Sequence, residues 1–113
     1  MLHLPFCESD VLCGAIGQDK AMQKRLLQQA GLPICPYAVV KKQEGSGGWR
    51  RTLSALRMPG ILKPSLLGSS IGIEKCEDLD ACLQALPHIF AYGDEAIAET
   101  CVQDMREFNC AIL

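Results

Sequence analysis

Lys63, Ser69 and Ser70 are the residues of this chain whose types and spacing best suit chemistry. They stand in the run Ile61-Leu62-Lys63-Pro64-Ser65-Leu66-Leu67-Gly68-Ser69-Ser70-Ile71-Gly72-Ile73. The run reads as a short apolar strand with a Lys near its end, a small-residue loop, and a second apolar strand. Pro64 donates no ladder hydrogen bond, so strand pairing should stop there. Gly68 and Gly72 permit positive φ or the close approach of a ligand. Successive backbone N–H groups in such a loop can form an anion-binding concavity. The serines add hydroxyls with little bulk, and Lys63 adds a full positive charge. These are the parts of a site for a nucleotide phosphate. The same residues also fit an ordinary Gly-Ser turn beside a solvated Lys.

A rival chemistry needs weighing. Gly68-Ser69-Ser70-Ile71-Gly72 also fits the G-x-S-x-G nucleophile elbow of serine hydrolases. That motif demands a helix straight after the Ser. Ile71-Gly72-Ile73 instead alternates like a strand, and of the two histidines only His88 lies downstream.

The elements that must position this loop follow from the pattern of apolar residues. Ser9 and Asp10 are possible N-caps for a helical face of Val11, Leu12, Ala15 and Ile16. Asp19 is the N-cap of a longer helix to Ala30, with Met22, Leu26, Leu27 and Ala30 as its buried stripe and Gln23, Lys24, Gln28 and Gln29 as its wet side. Gly31 stops it, with Pro33 beyond. Pro36 to Lys41 reads as a strand, Gln43 to Gly48 as a flexible loop, and Trp49 to Arg57 as a helix with Trp49, Leu53 and Leu56 inward. Ile71 to Cys76 is the return strand. Glu77 to Leu86 is a helix with Leu79, Cys82, Leu83 and Leu86 on one face, and Pro87 ends or kinks it. Glu95 to Glu99 and Glu107 to Leu113 read as two further strands. Hairpin-like strand pairs with helices on one side predict an α+β fold, a small and mostly antiparallel sheet.

The chain has 113 residues, 49% of them apolar, enough for a packed core in one domain or a piece of a larger one. A net charge of −2 gives no general attraction to nucleic acid or an anionic membrane. No apolar run reaches transmembrane length, and the N-terminus lacks a basic-then-apolar signal, so a cytoplasmic location is expected. The seven cysteines are odd in number and contain no C-x-x-C, which argues against a disulfide framework or zinc site. The last strand pattern stops on an apolar residue with no cap or turn, so the chain is expected to be cut from a longer one.

Gln18-Asp19-Lys20, Leu62-Lys63-Pro64, the loop Leu67 to Gly72, Glu99, and Arg106-Glu107-Phe108-Asn109-Cys110-Ala111-Ile112-Leu113 together carry a resemblance. They resemble the D-alanine–D-alanine ligases of the ATP-grasp superfamily, over essentially the whole chain. The resemblance implies that residues 1–18 are the end of an N-terminal ligase domain. Residues 19–113 would be the central, nucleotide-covering ATP-grasp domain, truncated at its C-terminus. The chain departs from the family at Gln18, where Met is usual, at Glu8, where Gly is common, and at Thr100, where many members carry Lys or Glu. The Gln103 to Arg106 connection looks one residue longer.

The resemblance also implies roles. Lys20 and Lys63 would hold ATP phosphates. Gly68, Ser69 and Ser70 would belong to the loop that closes over phosphate and substrate. Glu99 and Val102 would contact adenine, Val102 through its backbone, and Glu107 would bind the ribose hydroxyls. Mg²⁺ ligands and the oxyanion-stabilising Arg would lie beyond this chain, so the chain alone is expected to be inactive. In the full-length enzyme the implied partners are ATP, D-alanine, the remaining ligase domains and a second copy in a homodimer. Another ATP-grasp carboxylate–amine ligase, the D-alanine–D-lactate type, and a non-catalytic nucleotide-binding module are the alternatives.

Overall fold

A computed structural model describes residues 9–111. Leu2 to Pro5, Cys7 and Glu8, with Ile112 and Leu113, lie outside them. The elements in order are α1 (Val11–Gln18), α2 (Lys20–Gln29), β1 (Tyr37–Lys41), a 3₁₀ turn (Lys42–Glu44), α3 (Gly45–Leu53), β2 (Gly60–Pro64), β3 (Glu74–Cys76), α4 (Leu79–Ile89) and β4 (Glu95–Thr100). The four strands form one antiparallel sheet in the order β1-β4-β2-β3. The fold is α+β, as the pattern predicts.

Local signals set most of these boundaries. The Asp10 carboxylate accepts from the Cys13 N–H at 2.8 Å, and Asp19 Oδ1 accepts from the Ala21 and Met22 N–H groups at 2.9 and 3.0 Å. Each satisfies donors that a helix start leaves unpaired. Pro64 is the last residue of β2, paired with Ala96.

Strand alternation sends Val40, Leu62, Ala96 and Ala98 to one face, where they pack with Leu53 of α3 and Cys82, Leu86 and Ile89 of α4. Trp49 packs against Phe90 with ring centroids 5.2 Å apart and the planes tilted by 42°, and its indole N–H donates to the Lys41 carbonyl at 2.9 Å. Leu53, Leu62 and Leu86 are fully buried, each worth about 1.5–3 kcal/mol of transfer free energy.

Several expectations need correction. Gln43 to Gly48 is not a loop: it holds the 3₁₀ turn and the start of α3, and that helix stops at Leu53 rather than Arg57. Packing of Trp49 and Leu53 overrides the weak helix propensity of the glycines. Gly48 is also required sterically, because a Cβ there would lie 2.6 Å from the Glu44 Cβ. The return strand is only Glu74–Cys76, since Ile71–Ile73 completes the turn out of the loop. The helix α4 starts at Leu79 and continues through Pro87 to Ile89.

On α2 the expected buried stripe is uncovered, and of the expected wet side Gln28 and Gln29 are exposed while Gln23 and Lys24 are partly covered. Ala21 is its one buried residue, whereas Met22, Leu26 and Leu27 are exposed. The Lys20 N–H donates to the Ser65 carbonyl at 3.0 Å, and Lys24 pairs with β4. These contacts turn the Lys20–Lys24 side toward the sheet. The expected strand Glu107 to Leu113 does not form over its described part: Glu107–Ala111 is exposed, non-strand backbone, and Ile112 and Leu113 lie outside the described residues. A strand exists only with a ladder partner, and no described strand pairs with this segment.

Candidate functional site

The register pairs Ile61 with Glu99 and Lys63 with Ile97. Lys63 and Glu99 are therefore diagonal neighbours on the sheet face opposite Leu62 and Ala98, within reach for long side chains. The Lys63 ammonium donates to Glu99 Oε2 at 2.6 Å. Lys24, from α2, takes the other oxygen, with Nζ 2.7 Å from Glu99 Oε1. The side chains of Lys63, Lys24 and Glu99 are 23%, 18% and 12% exposed, so this is a half-sheltered triad rather than a surface pair. Burial by itself would raise the Glu99 pKa. Hydrogen bonds and charge from Lys24 and Lys63 outweigh it and hold the carboxyl below its ordinary range.

Lys20 opens α2 and reaches the base of the β2–β3 loop. Its ammonium donates to the carbonyls of Pro64 at 3.2 Å, Ser65 at 3.4 Å and also Leu67. Burial, followed by the nearby charge of Lys63, lowers its pKa.

At the loop tip the Ile71 N–H donates to the Gly68 carbonyl at 3.1 Å, closing a turn whose central residues are Ser69 and Ser70. Both serines are left-handed, with φ of 52° and 59°, the pattern of a type I′ turn. Each such non-glycine residue costs about 1–2 kcal/mol, and strain of this kind concentrates at functional sites. Of the two glycines that could take positive φ, Gly68 does not: it holds the first position of the turn, and the serines take the two central ones. Gly72 does take positive φ, at 68°, and a Cβ there would lie 2.9 Å from Pro64 Cγ and 3.0 Å from the Tyr92 ring. No helix follows Ser70, so the nucleophile elbow lacks the element that defines it.

Lys20, Lys63 and Gly68 to Ile71 line one recess of ≈ 100 Å³. Lys20, Lys24, Lys63 and Glu99 line a second, of ≈ 250 Å³. The two share Lys20 and Lys63, and together they carry three ammonium groups against one carboxylate. That donor set fits a polyanion. A larger hollow of ≈ 460 Å³ is walled by Asp19, Asp94 and Glu95 with no cationic side chain, which suits no phosphate. Among the described residues no group of three or more His, Cys, Asp or Glu side chains could hold a metal ion, so these residues do not fit Mg²⁺. No described helix is long and apolar enough to cross a membrane.

The structure thus gathers Lys20, Lys63, Gly68, Ser69 and Ser70 at one recess, and Glu99 joins through Lys63. Val102 and Glu107 are exposed on the segment after β4 and line neither recess. Lys24 is the residue that sequence reasoning assigned to the wet side of α2. Its signal was its spacing, four residues after Lys20 and so on the same helix face.

Residues 26–113 match the protein family described as "D-ala D-ala ligase C-terminus". A D-alanine–D-alanine ligase of Methylobacterium sp. (strain 4-46) is 36% identical over 111 residues, covering 97% of this chain and 29% of the relative. The ligase of Geobacillus thermodenitrificans is 37% identical over 117 residues, covering 100% of this chain and 32% of the relative. This chain therefore spans about a third of the length of these curated relatives. Among solved structures, the Bacillus anthracis D-alanine–D-alanine ligase superposes with a TM-score of 0.76 at 26% identity, over 84% of this chain and 31% of that one. The VanG D-Ala:D-Ser ligase of Enterococcus faecalis gives 0.75 at 26% identity, over 83% and 27%. Lys63, the strained loop and Glu99 all fall within the matched span, and the chain belongs to the D-ala D-ala ligase C-terminus family.

Proposed function

We propose that this chain is the ATP-binding part of a D-alanine–D-alanine ligase of the ATP-grasp superfamily. Residues 19–113 form its nucleotide-covering part and residues 1–18 the end of the preceding domain. The observation that carries the reading is the gathering of Lys20 and Lys63 beside the Ser69–Ser70 turn, with Lys24 in the adjoining recess around Glu99.

In the proposed reaction the carboxylate of one D-alanine attacks the γ-phosphorus of ATP. ADP leaves and an acyl phosphate forms. The amine of a second D-alanine attacks the acyl carbon, inorganic phosphate leaves, and the nitrogen sheds its proton to give the dipeptide for peptidoglycan. Phosphoryl transfer of this kind needs positioning and charge neutralisation above all. Lys63 and Lys20 supply positive charge to the phosphates. The Gly68–Ile71 backbone and the Ser69 and Ser70 hydroxyls close over phosphate and substrate and keep water from the acyl phosphate.

Glu99 accepts from the adenine amino group with lone pairs the lysines leave free, since a carboxylate has about four acceptor sites. The Val102 backbone completes the adenine contact, and Glu107 accepts from the ribose diol. Mg²⁺ would supply further charge neutralisation, and the residues that would hold it lie outside the described ones. The full-length enzyme works in the cytoplasm, where ATP is, as a homodimer. The acceptor amino acid is read largely by parts of the enzyme outside this stretch; a like superposition on a D-Ala–D-Ala and a D-Ala:D-Ser ligase is in keeping with that reading.

The test is a titration of the 113-residue chain with ATP, followed by amide resonances. Weak binding with shifts at Lys63, Ser69, Ser70 and Glu99, abolished by Lys63→Met, is the expected result. Shifts confined to other residues would overturn the site. D-alanine-dependent phosphate release by this chain alone would overturn its assignment as a partial, non-catalysing unit.

A further inference from the structure

Lys63 lines both recesses, whereas Lys24 lines only the one around Glu99. Of the two lysines on Glu99, only Lys63 is placed to serve a ligand at the loop. Serving it means leaving Glu99 Oε2, 2.6 Å away. A carboxylate only 12% exposed tolerates that loss poorly unless another cation remains.

Lys24 is that cation. It holds the other oxygen at 2.7 Å, and its ammonium lies 5.9 Å from the centroid of Tyr37, the cross-strand partner of Glu99. Its helix is anchored independently of Glu99, by the Asp19 cap and the Lys20 N–H to Ser65 carbonyl bond. One lysine is thus fixed by its helix, and the other stands at the border between Glu99 and the loop.

We propose that Lys24 is a positioning residue, the resident counter-ion of Glu99 that releases Lys63 to an anionic phosphate at the Gly68–Ile71 turn. The proposal rests on the phosphate reading above and adds the residue that makes Lys63 available. Without Lys24, Lys63 becomes the sole partner of Glu99 and stays there.

Two readouts separate the proposal from the reading beneath it. The first uses no ligand: acylation of the Lys63 amine by acetic anhydride, followed by peptide mass spectrometry. Lys24→Met should slow Lys63 acylation several-fold, and Lys24→Arg should leave it as in the wild type. The second is binding of inorganic tripolyphosphate, which has no base to contact Glu99. Lys24→Met should weaken it by roughly tenfold or more, as expected for a sheltered carboxylate left unpaired.

Adding Glu99→Gln to Lys24→Met removes the stranded charge and should restore tripolyphosphate binding. A mere packing role for Lys24 would not be rescued in this way. Unchanged Lys63 acylation in Lys24→Met, or failure of Glu99→Gln to restore binding, overturns the proposal. A wild-type chain that ignores tripolyphosphate, while Lys24→Met still slows acylation, overturns the phosphate reading and upholds Lys24 as the group that frees Lys63.

Discussion

Replacing Gly72 by Ala tests the loop geometry directly. Two costs add. The residue has φ of 68°, where an L-residue with a Cβ loses about 1–2 kcal/mol. The new methyl would also meet Pro64 Cγ at 2.9 Å and the Tyr92 ring at 3.0 Å. Pro64 is buried and its ring is stiff, while Tyr92 is half exposed and can swing outward, so relief falls on the tyrosine. Overpacking of this kind costs about 1–3 kcal/mol. The sum is roughly 2–5 kcal/mol, and a domain of this size loses about 4–8 °C per kcal/mol, a fall on the order of 10–40 °C.

Thermal unfolding followed by circular dichroism reads this directly. Gly68→Ala is the internal control. Gly68 has no positive φ, and nothing lies within 4 Å of its Cβ position. That variant should be neutral, or gain up to about 1 kcal/mol through its less flexible unfolded chain. A Gly72→Ala melt indistinguishable from the wild type, or an equal loss in Gly68→Ala, would refute the reasoning.

Two further outcomes are expected. The Glu99 carboxyl is held below its unfolded value of 4.5, so its contribution to stability is full above that pH and is lost as pH falls through its lower folded pKa. Glu99→Gln should therefore flatten part of the acid limb of a pH–stability curve, and an unchanged limb would count against the two-lysine grip. Burial pushes the Cys82 thiol up to about 12 and raises Cys76 as well. Iodoacetamide at neutral pH should modify exposed Cys110 long before either of them, and denaturant should erase the difference. Native labelling of Cys82 as fast as Cys110 would refute its burial.

Sequence alone determined the features whose causes lie within a few residues. The Asp10 and Asp19 caps, the end of β2 at Pro64, the inward face of α4 and the contiguity of Lys63 with the Ser69–Ser70 loop are of this kind. Side-chain caps and proline's missing N–H act locally, and a helix or strand period can be read without knowing its partner. Only the tertiary structure decided which face of α2 is covered, that α3 begins inside a glycine run, and that Glu107–Ala111 pairs with no described strand. It alone joined Lys24 and Lys63 to Glu99 across 75 and 36 positions of chain. A helix with apolar residues on one side and lysines on the other carries no mark of which side meets the sheet. The half-sheltered carboxylate on β4 favours one side, because it gains Lys24 as a second cation beside Lys63 of β2 when the lysine side turns toward it.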